Sequence, residues 1–337
     1  MEELAFIELD HGTGAKLSQD LIDMITSTLE DVHLGKMEDS AILPMNASQI
    51  AMTTDSFVVA PPFFGNGDIG KIAVAGTVND LAVMGAKPLY LTLAMIIEEG
   101  FPIRDLKRIV SSVREAAREA KVKIVAGDTK VVAKGEADKI FLNTAGVGIF
   151  EREPLSTSKV SAGDKMILSS NIGDHSIHLL SIREGLGYES RVLSDCAPLN
   201  NHIDKLLSSK LGESVMSIRD VTRGGLAEVM HEFSQKTGRV IACNEDALPI
   251  RLETEMAADM LGVNPIHLAN EGCLCMFVKP DMADEVVAFL REFEHFKNAC
   301  VIGEVTKTTG TGVLMSKKDG MTYELEQLIG AELPRLC

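Results

Sequence analysis

From residue 50 onward the chain alternates strand-like and helix-like stretches on both sides of a polar break at 151–163. No other feature narrows the fold as much, because every such stretch carries an apolar face that a neighbouring layer has to cover. Ahead of the alternation, residues 16–30 place Leu17, Leu21, Met24, Ile25 and Leu29 near helical spacing. The pattern then predicts a strand at 50–59 interrupted at Asp55, a packed helix from Ile69 to Met84 ending at Gly85, and a strand at 89–97. Pro102 leads into a charged amphipathic helix at 103–120, and strands at 122–126 and 140–149 flank an exposed loop at 133–138. Beyond the break come a strand at 165–168 and helices near 176–184, 198–209 and 224–237. Strands at 239–243, 273–279 and 299–305 follow, with a hairpin remnant and a tail over 316–337. This mixture argues an α+β architecture for each half, and 337 residues suffice for two domains or one large one.

The balance of charge excludes some functions. Lys+Arg 33 against Asp+Glu 49 leaves a net charge of −16, which argues against a nucleic-acid surface, since phosphate binding needs clustered cations. The same acidity means that an acidic ligand would need local screening, for instance by metal ions. No run of 18 apolar residues offers a membrane span, and Met1-Glu2-Glu3-Leu4 is acidic where a signal peptide would be basic. Six scattered cysteines form no disulfide framework and fit a reducing cytoplasm. Cys273-x-Cys275 lacks zinc or redox spacing and reads as two small core residues on one side of a strand.

Four aspartates carry the chemical signal. Asp55 follows an apolar run, Asp80 lies inside Gly76-Thr77-Val78-Asn79-Asp80-Leu81-Ala82, Asp128 ends a strand, and Asp220 precedes a helix in Arg219-Asp220-Val221-Thr222-Arg223. A carboxylate among apolar residues is costly unless paired or bound to a cation, and Mg²⁺ takes oxygen ligands bridged by nucleotide phosphates. Capping and turn duty is the alternative for each one singly. His11-Gly12-Thr13-Gly14 and Arg223-Gly224-Gly225, each ahead of a helix, resemble phosphate cradles without matching the lysine-bearing P-loop. Lys130 could pair with a phosphate or with Asp128, and Glu271 in Asn270-Glu271-Gly272 could be a base, a ligand or a turn residue. His175 and His178 share a helical face and read as pocket or surface histidines.

The sequence finishes Leu333-Pro334-Arg335-Leu336-Cys337. Pro334 fixes one φ, removes a donor and biases Leu333 toward extended geometry, so the last residues do not continue a helix. About seven extended residues span roughly 23–25 Å, enough to carry a sulfur into a pocket on this protein or a partner's. An incidental terminal residue is the alternative.

Together these stretches resemble the hydrogenase expression/formation (HypE) family, part of the ATP-using superfamily that holds aminoimidazole ribonucleotide synthetase and selenophosphate synthetase. The matching segments are 11–14, the 53–90 block, Gly127 to Val132, Asn143-Thr144-Ala145-Gly146, Ser194-Asp195-Cys196-Ala197, Arg219 to Gly225, Ala269 to Gly272 and the end Pro334-Arg335-Leu336-Cys337. Ala15, Ser176 and Cys273 depart from the family pattern, standing where two glycines and a lysine are common. The resemblance implies a two-domain PurM-like α+β fold. Its N-terminal ATP-binding half, 1–155, would give strands to a β-barrel at a homodimer interface. The C-terminal α+β half would span 156–320, and a mobile tail, 321–337, would end in the substrate cysteine. It further implies that the carbamoyltransferase HypF places a carbamoyl group on Cys337. ATP-driven dehydration would turn that group into a thiocyanate, whose cyano group passes to iron on a HypC–HypD scaffold.

The residues carried over for the nucleotide are Gly12, Gly14, Asp55, Asp80, Asp128, Thr129, Lys130, Asn143, Thr144, Asp220, Thr222 and Arg223. Mg²⁺ would sit on Asp55, Asp80, Asp128 and Asp220. Lys130 would stabilise the transferring phosphoryl group, and Glu271, ahead of an uncharged Lys130, would take the N–H proton. Two other readings stand beside this one: an ATP-dependent synthetase of a soluble small molecule, and a non-catalytic nucleotide-binding scaffold whose tail docks a partner.

Overall fold

The computed structural model describes residues 6–12, 16–34, 43 and 47–327; Gly14, Ala15, Cys337 and the whole of 328–337 lie outside them. The first half contains α1 (Lys16–Leu29), β1 (Ile50–Phe57), α2 (Ile69–Val83), β2 (Lys87–Glu98), α3 (Ile103–Ala120), β3 (Lys123–Val132) and β4 (Ile140–Ile149). Its sheet runs β1-β4-β2-β3, with β2 and β3 parallel across the α3 crossover and the other pairs antiparallel. β1 passes unbroken through Asp55, contrary to the expected interruption. The strand's alternation puts Asp55 on the inner face with Thr53 and Phe57, where the Thr77 hydroxyl donates to its carboxylate at 3.1 Å. β3 likewise continues past Asp128 to Val132.

α2 explains its own sequence. Its N-cap Asp68 accepts from Gly70 N at 2.9 Å and Lys71 N at 3.1 Å, satisfying two of the donors a helix start leaves open. One side of α2 packs on its own sheet, while Ala82 and Val83 join the core of the second half. A helix covered on both sides needs apolar or small residues nearly all round. Ile72, Val74, Val78 and Leu81 are buried, each worth about 1.5–3 kcal/mol. A Cβ on Gly70 would stand 2.5 Å from the Ile109 carbonyl oxygen, so glycine here lets α2 close on α3.

The second half holds β5 (Lys165–Leu168), α4 (Asp174–Glu184), α5 (Asn200–Ser208), β6 (Val215–Asp220), α6 (Gly225–Thr237), β7 (Arg239–Asn244) and α7 (Leu252–Leu261). β8 (Leu274–Val278), α8 (Ala283–Leu290), β9 (Cys300–Thr309), β10 (Val313–Ser316) and β11 (Thr322–Glu324) complete it. The seven-stranded order is β11-β10-β7-β9-β5-β8-β6, antiparallel except for the β10–β7 pair. α6 covers one face, with Phe233 stacked on Phe277 at 4.1 Å between ring centres, and α5 and α8 cover the other. Residues 321–327, expected to open the tail, instead include the edge strand β11 and send Leu325 into the core.

β6, α7 and α8 went unpredicted. β6 is short and carries Arg219 and Asp220, α7 leaves Leu252, Met256 and Met260 exposed, and α8 spans only 8 residues. His175 and His178 are neither pocket nor surface residues. Both are buried where α4 meets the first half: His178 contacts the carbonyl oxygens of Val192 and Phe64, and His175 the Ser194 hydroxyl. Cys273 and Cys275 are buried in the second core as expected.

Candidate active site

Three of the four predicted aspartates meet where the halves join. Asp55 comes from the inner face of β1, Asp80 from α2 and Asp220 from the end of β6. Thr53 Oγ1 donates to Asp80 Oδ2 at 2.8 Å, and the Asp55 and Asp80 carboxyls lie within hydrogen-bonding reach of each other. Burial, and then the neighbouring Asp55 charge, push the Asp80 pKa up to about 6. Burial with the charges of Asp80 and Asp55 pushes Asp220 up to about 7. Asp220 does not cap the helix that follows, whose N-cap is Gly224.

Two loops extend this acidic wall. Glu271 is buried and its pKa is raised well above the usual range, by burial first and then by Asp195, Asp220 and Asp55. Asp195 Oδ1 accepts from Glu271 N at 2.9 Å, while its other oxygen is shut off from water with no hydrogen-bond partner. Burial lifts the Asp195 pKa to about 7. The loops touch so closely that a Cβ on Gly272 would fall 1.9 Å from the Asp195 carbonyl oxygen. Asn270 pins one loop, accepting from Gly173 N at 2.7 Å and donating to the carbonyls of Val221 and Leu268, both at 3.0 Å. Ser176, a departure from the family pattern, supports the same loop by donating to Ala269 O at 2.7 Å.

Five carboxyl groups therefore share one electrostatic neighbourhood, and the cations that face them are Arg219 and Arg223. Arg219 is already engaged by Glu232 at 3.1 Å. Arg223 is exposed on the turn before α6, beside Thr222, whose carbonyl accepts from Gly225 N. Gly225 itself sits at φ +64°, with a Cβ position only 2.5 Å from the Ile266 carbonyl oxygen.

The structure parts Asp128 and Lys130 from this cluster. Residues paired across a sheet share a face. Asp128 stands in register with Ala94 and Asn143, one step from the row formed by Asp55, Thr144, Leu93 and Gly127. Asp128 therefore lies on the outer face, where its carboxylate pairs with Lys130 at 2.9 Å. Asn143 is on that outer face as well, donating to Asp55 O at 2.8 Å and Ser56 Oγ at 3.0 Å. Thr144 lies beneath α2, its hydroxyl bonded to Ala73 O and shared with Thr77, so it fixes the helix and offers no surface to a ligand. Thr129 faces inward two residues beyond Gly127, and Gly12 lies against Val131 at the same end of β3.

Asp195 and Asn79 were not singled out from the sequence. Asn79, next to Asp80, is 3% exposed; it donates to Ala197 O at 3.1 Å and accepts from Leu199 N at 2.7 Å, clamping the two halves at the site. Its only sequence signal was a polar pair within an apolar helix.

Known proteins share this fold. The AIR synthase related protein, N-terminal domain, matches residues 37–150, and the corresponding C-terminal domain matches 161–316. The Carbamoyl dehydratase HypE of Bradyrhizobium diazoefficiens is 39% identical over 333 residues, covering 98% of this chain and 96% of that protein. A crystal structure of hydrogenase maturation protein HypE in complex with ATP superposes with a TM-score of 0.92 at 39% identity, covering 98% of this chain and 99% of that one. A HypE–HypF complex structure superposes with a TM-score of 0.79 at 45% identity, covering 87% and 94%. With both halves matched and the likeness running almost end to end, the chain belongs to the HypE family of the AIR synthase related proteins.

Proposed function

We propose that the protein is an ATP-dependent carbamoyl dehydratase, converting an S-carbamoyl group on Cys337 to a thiocyanate that supplies cyanide for a hydrogenase iron centre. The observation that carries this reading is the cation-poor wall of five carboxyl groups at the junction of the halves, in a chain whose near relatives bear that name and, in one structure, hold ATP.

The donor set suits Mg²⁺. Oxygen ligands predominate, Asp195 Oδ2 is buried without a partner, and the arginines do not balance the carboxylates. Among the described residues no three His, Cys, Asp or Glu side chains are gathered as a ready cage. That agrees with a cation held by one or two carboxylates and completed by phosphate oxygens. Asp55 and Asp80 would hold it, with Asp220 beside them. Bound there, the ion would neutralise charge on the γ-phosphoryl group as it moves.

An amide oxygen is a poor leaving group. Transfer of the γ-phosphoryl group to it makes phosphate the leaving group, and the nitrogen gives up its protons as the C≡N bond forms. Glu271, made basic by burial and by Asp195, takes a proton from that nitrogen. A substrate tethered to its own enzyme brings a high effective concentration. Arg223 and the Gly224–Gly225 turn at the start of α6 would receive the anionic product.

The outer face of the first sheet supports a homodimer. Ile50, Met52 and Ile96 are exposed there, with Met52 71% accessible, a patch that two copies could close into a barrel. Asp128, Lys130 and Asn143 would then stand at that interface and serve the nucleotide from it. HypF would load the cysteine, as the HypE–HypF complex of a relative supports, and a HypC–HypD scaffold would receive the cyano group. The free cysteines described at 196, 243, 273, 275 and 300 favour a reducing cytoplasm. No described helix is long and apolar enough to cross a membrane.

Mass spectrometry of the C-terminal peptide tests the reaction. Carbamoylated protein given Mg-ATP should lose one water from Cys337. An unchanged mass, with ATP still consumed, would favour the small-molecule synthetase instead.

A further inference from the structure

Glu271 sits on a loop that is held peptide by peptide. Asn270 N donates to Val221 O at 3.0 Å, Asp195 takes the Glu271 N–H, and Ala197 N donates to Glu271 O at 3.4 Å. Cys273 O then accepts from Val221 N at 2.9 Å, where the chain enters β8. Between those ties lies Gly272, whose carbonyl takes two side-chain donors: Ser170 Oγ at 3.3 Å and, at 2.8 Å, Nε2 of His295. A carbonyl only accepts, so Nε2 carries the ring proton. The ring also presses on the glycine itself. A Cβ there would stand 2.8 Å from His295 Nε2 as well as 1.9 Å from the Asp195 carbonyl oxygen, so Gly272 is closed in from both sides.

We propose that His295 is a positioning residue for Glu271, fixing its carboxyl against the S-carbamoyl nitrogen; the assignment rests on the dehydratase reading above. It acts through the backbone. With the Asp195 bond ahead of Glu271 and the His295 bond behind it, the segment that carries the carboxyl is fixed on both sides. The ring is itself firmly mounted, on the short helical turn Glu294–Phe296 between α8 and β9. It meets the buried Phe296 ring edge-on at 5.2 Å, and Asn298 ties the same connection to Asn171 at 3.0 Å. Arg291 Nε closes the base of the connection, donating to Ala299 O at 2.8 Å. Such a mount matters because misplacing a reacting group by about 1 Å can cost roughly a hundredfold in rate. Burial lowers the ring's pKa, so near neutral pH the donor is uncharged and adds no cation that would weaken Glu271 as a base.

Single-turnover dehydration of the carbamoylated, full-length protein tests the assignment, with His295→Ala and His295→Gln beside the parent. At saturating Mg-ATP the Ala variant should lose water from Cys337 about tenfold or more slowly than the parent. Its Mg-ATP affinity should stay within about twofold, since the ring bonds loop backbone and not the carboxyls that hold the cation. The amide nitrogen of Gln reaches about as far as an imidazole Nε2 and also donates, so the Gln variant should recover most of the rate. An Ala variant as fast as the parent would overturn the assignment. So would equal losses in both variants, which would make the ring a packing element and not a donor. Hydrogen exchange separates the hold on the loop from the reaction: the Glu271 amide should exchange about tenfold faster in the Ala variant and return to the parental rate with Gln. A parent that leaves Cys337 unchanged would defeat the dehydratase reading, whereas a Glu271 amide indifferent to the Ala change would defeat the positioning role.

Discussion

Replacing Asp80 by Asn should make the ligand-free protein more stable while weakening its hold on Mg-ATP. The exchange removes one charge from the cluster with little change of shape. Burial and Asp55 raise the Asp80 pKa from 3.8 to about 6, so its folded state favours the neutral acid. The sign follows from that direction: stability is fully present below the unfolded pKa and is lost as pH rises through the folded value. Complete ionisation costs roughly 3 kcal/mol at pH 8 and about half that at pH 5. Asn avoids this penalty but still buries an amide, so a gain of about 1–3 kcal/mol is expected at pH 8, exceeding that at pH 5 by roughly 1–1.5 kcal/mol. Urea unfolding with a chelator at both pH values gives the two differences. Titration calorimetry with Mg-ATP should show a loss of about tenfold or more, equal to about 1.4 kcal/mol. A variant no more stable than its parent at pH 8 would refute the electrostatic account, and unaltered Mg-ATP affinity would refute the metal role.

Asn79→Ala strips both hydrogen bonds from the clamp and leaves Leu199 N and Ala197 O unsatisfied, so a stability loss of about 2–5 kcal/mol should appear in the urea midpoint. Gly272→Ala would place a methyl group 1.9 Å from the Asp195 carbonyl oxygen; the loops must separate, and thermal melting should fall far below that of a control Gly100→Ala, whose Cβ meets nothing within 4 Å despite its φ of +89°. Met52→Asp puts a charge on the open sheet face and should shift the protein toward monomer in sedimentation velocity; an unaltered dimer would place the interface elsewhere.

Much of the first half was legible because its elements obey local rules. α1 and α3 carry clean helical spacing, and Pro102 marks a boundary that the structure keeps. β1 misled because a carboxylate within a strand reads as a break, whereas its partner, Thr77, lies 22 residues away on a helix. Asp80 was visible as an acid in apolar surroundings. Asp195 was not: it was legible only as part of the family-matching stretch 194–197, and its significance arises only when 269–272 folds against it. The placing of Asp128 depended on register: a pairing across three strands sets which face it takes, and no local pattern records that pairing. Glu271 could be named from its motif but not weighed, because burial, the leading cause of its raised pKa, is a property of the assembled halves.

α2 is a wall common to both cores, bearing Asp80 on a segment whose neighbours Asn79, Ala82 and Val83 belong to the other half as much as to its own. Neither half can melt and leave the other intact, since whichever remained would expose a stripe of this helix to water. Calorimetry should therefore record one transition, and nucleotide held at the seam should raise it as a single peak. An isolated half would precipitate, and exchanging halves between relatives would succeed only if the helix travelled with matching surfaces on both sides.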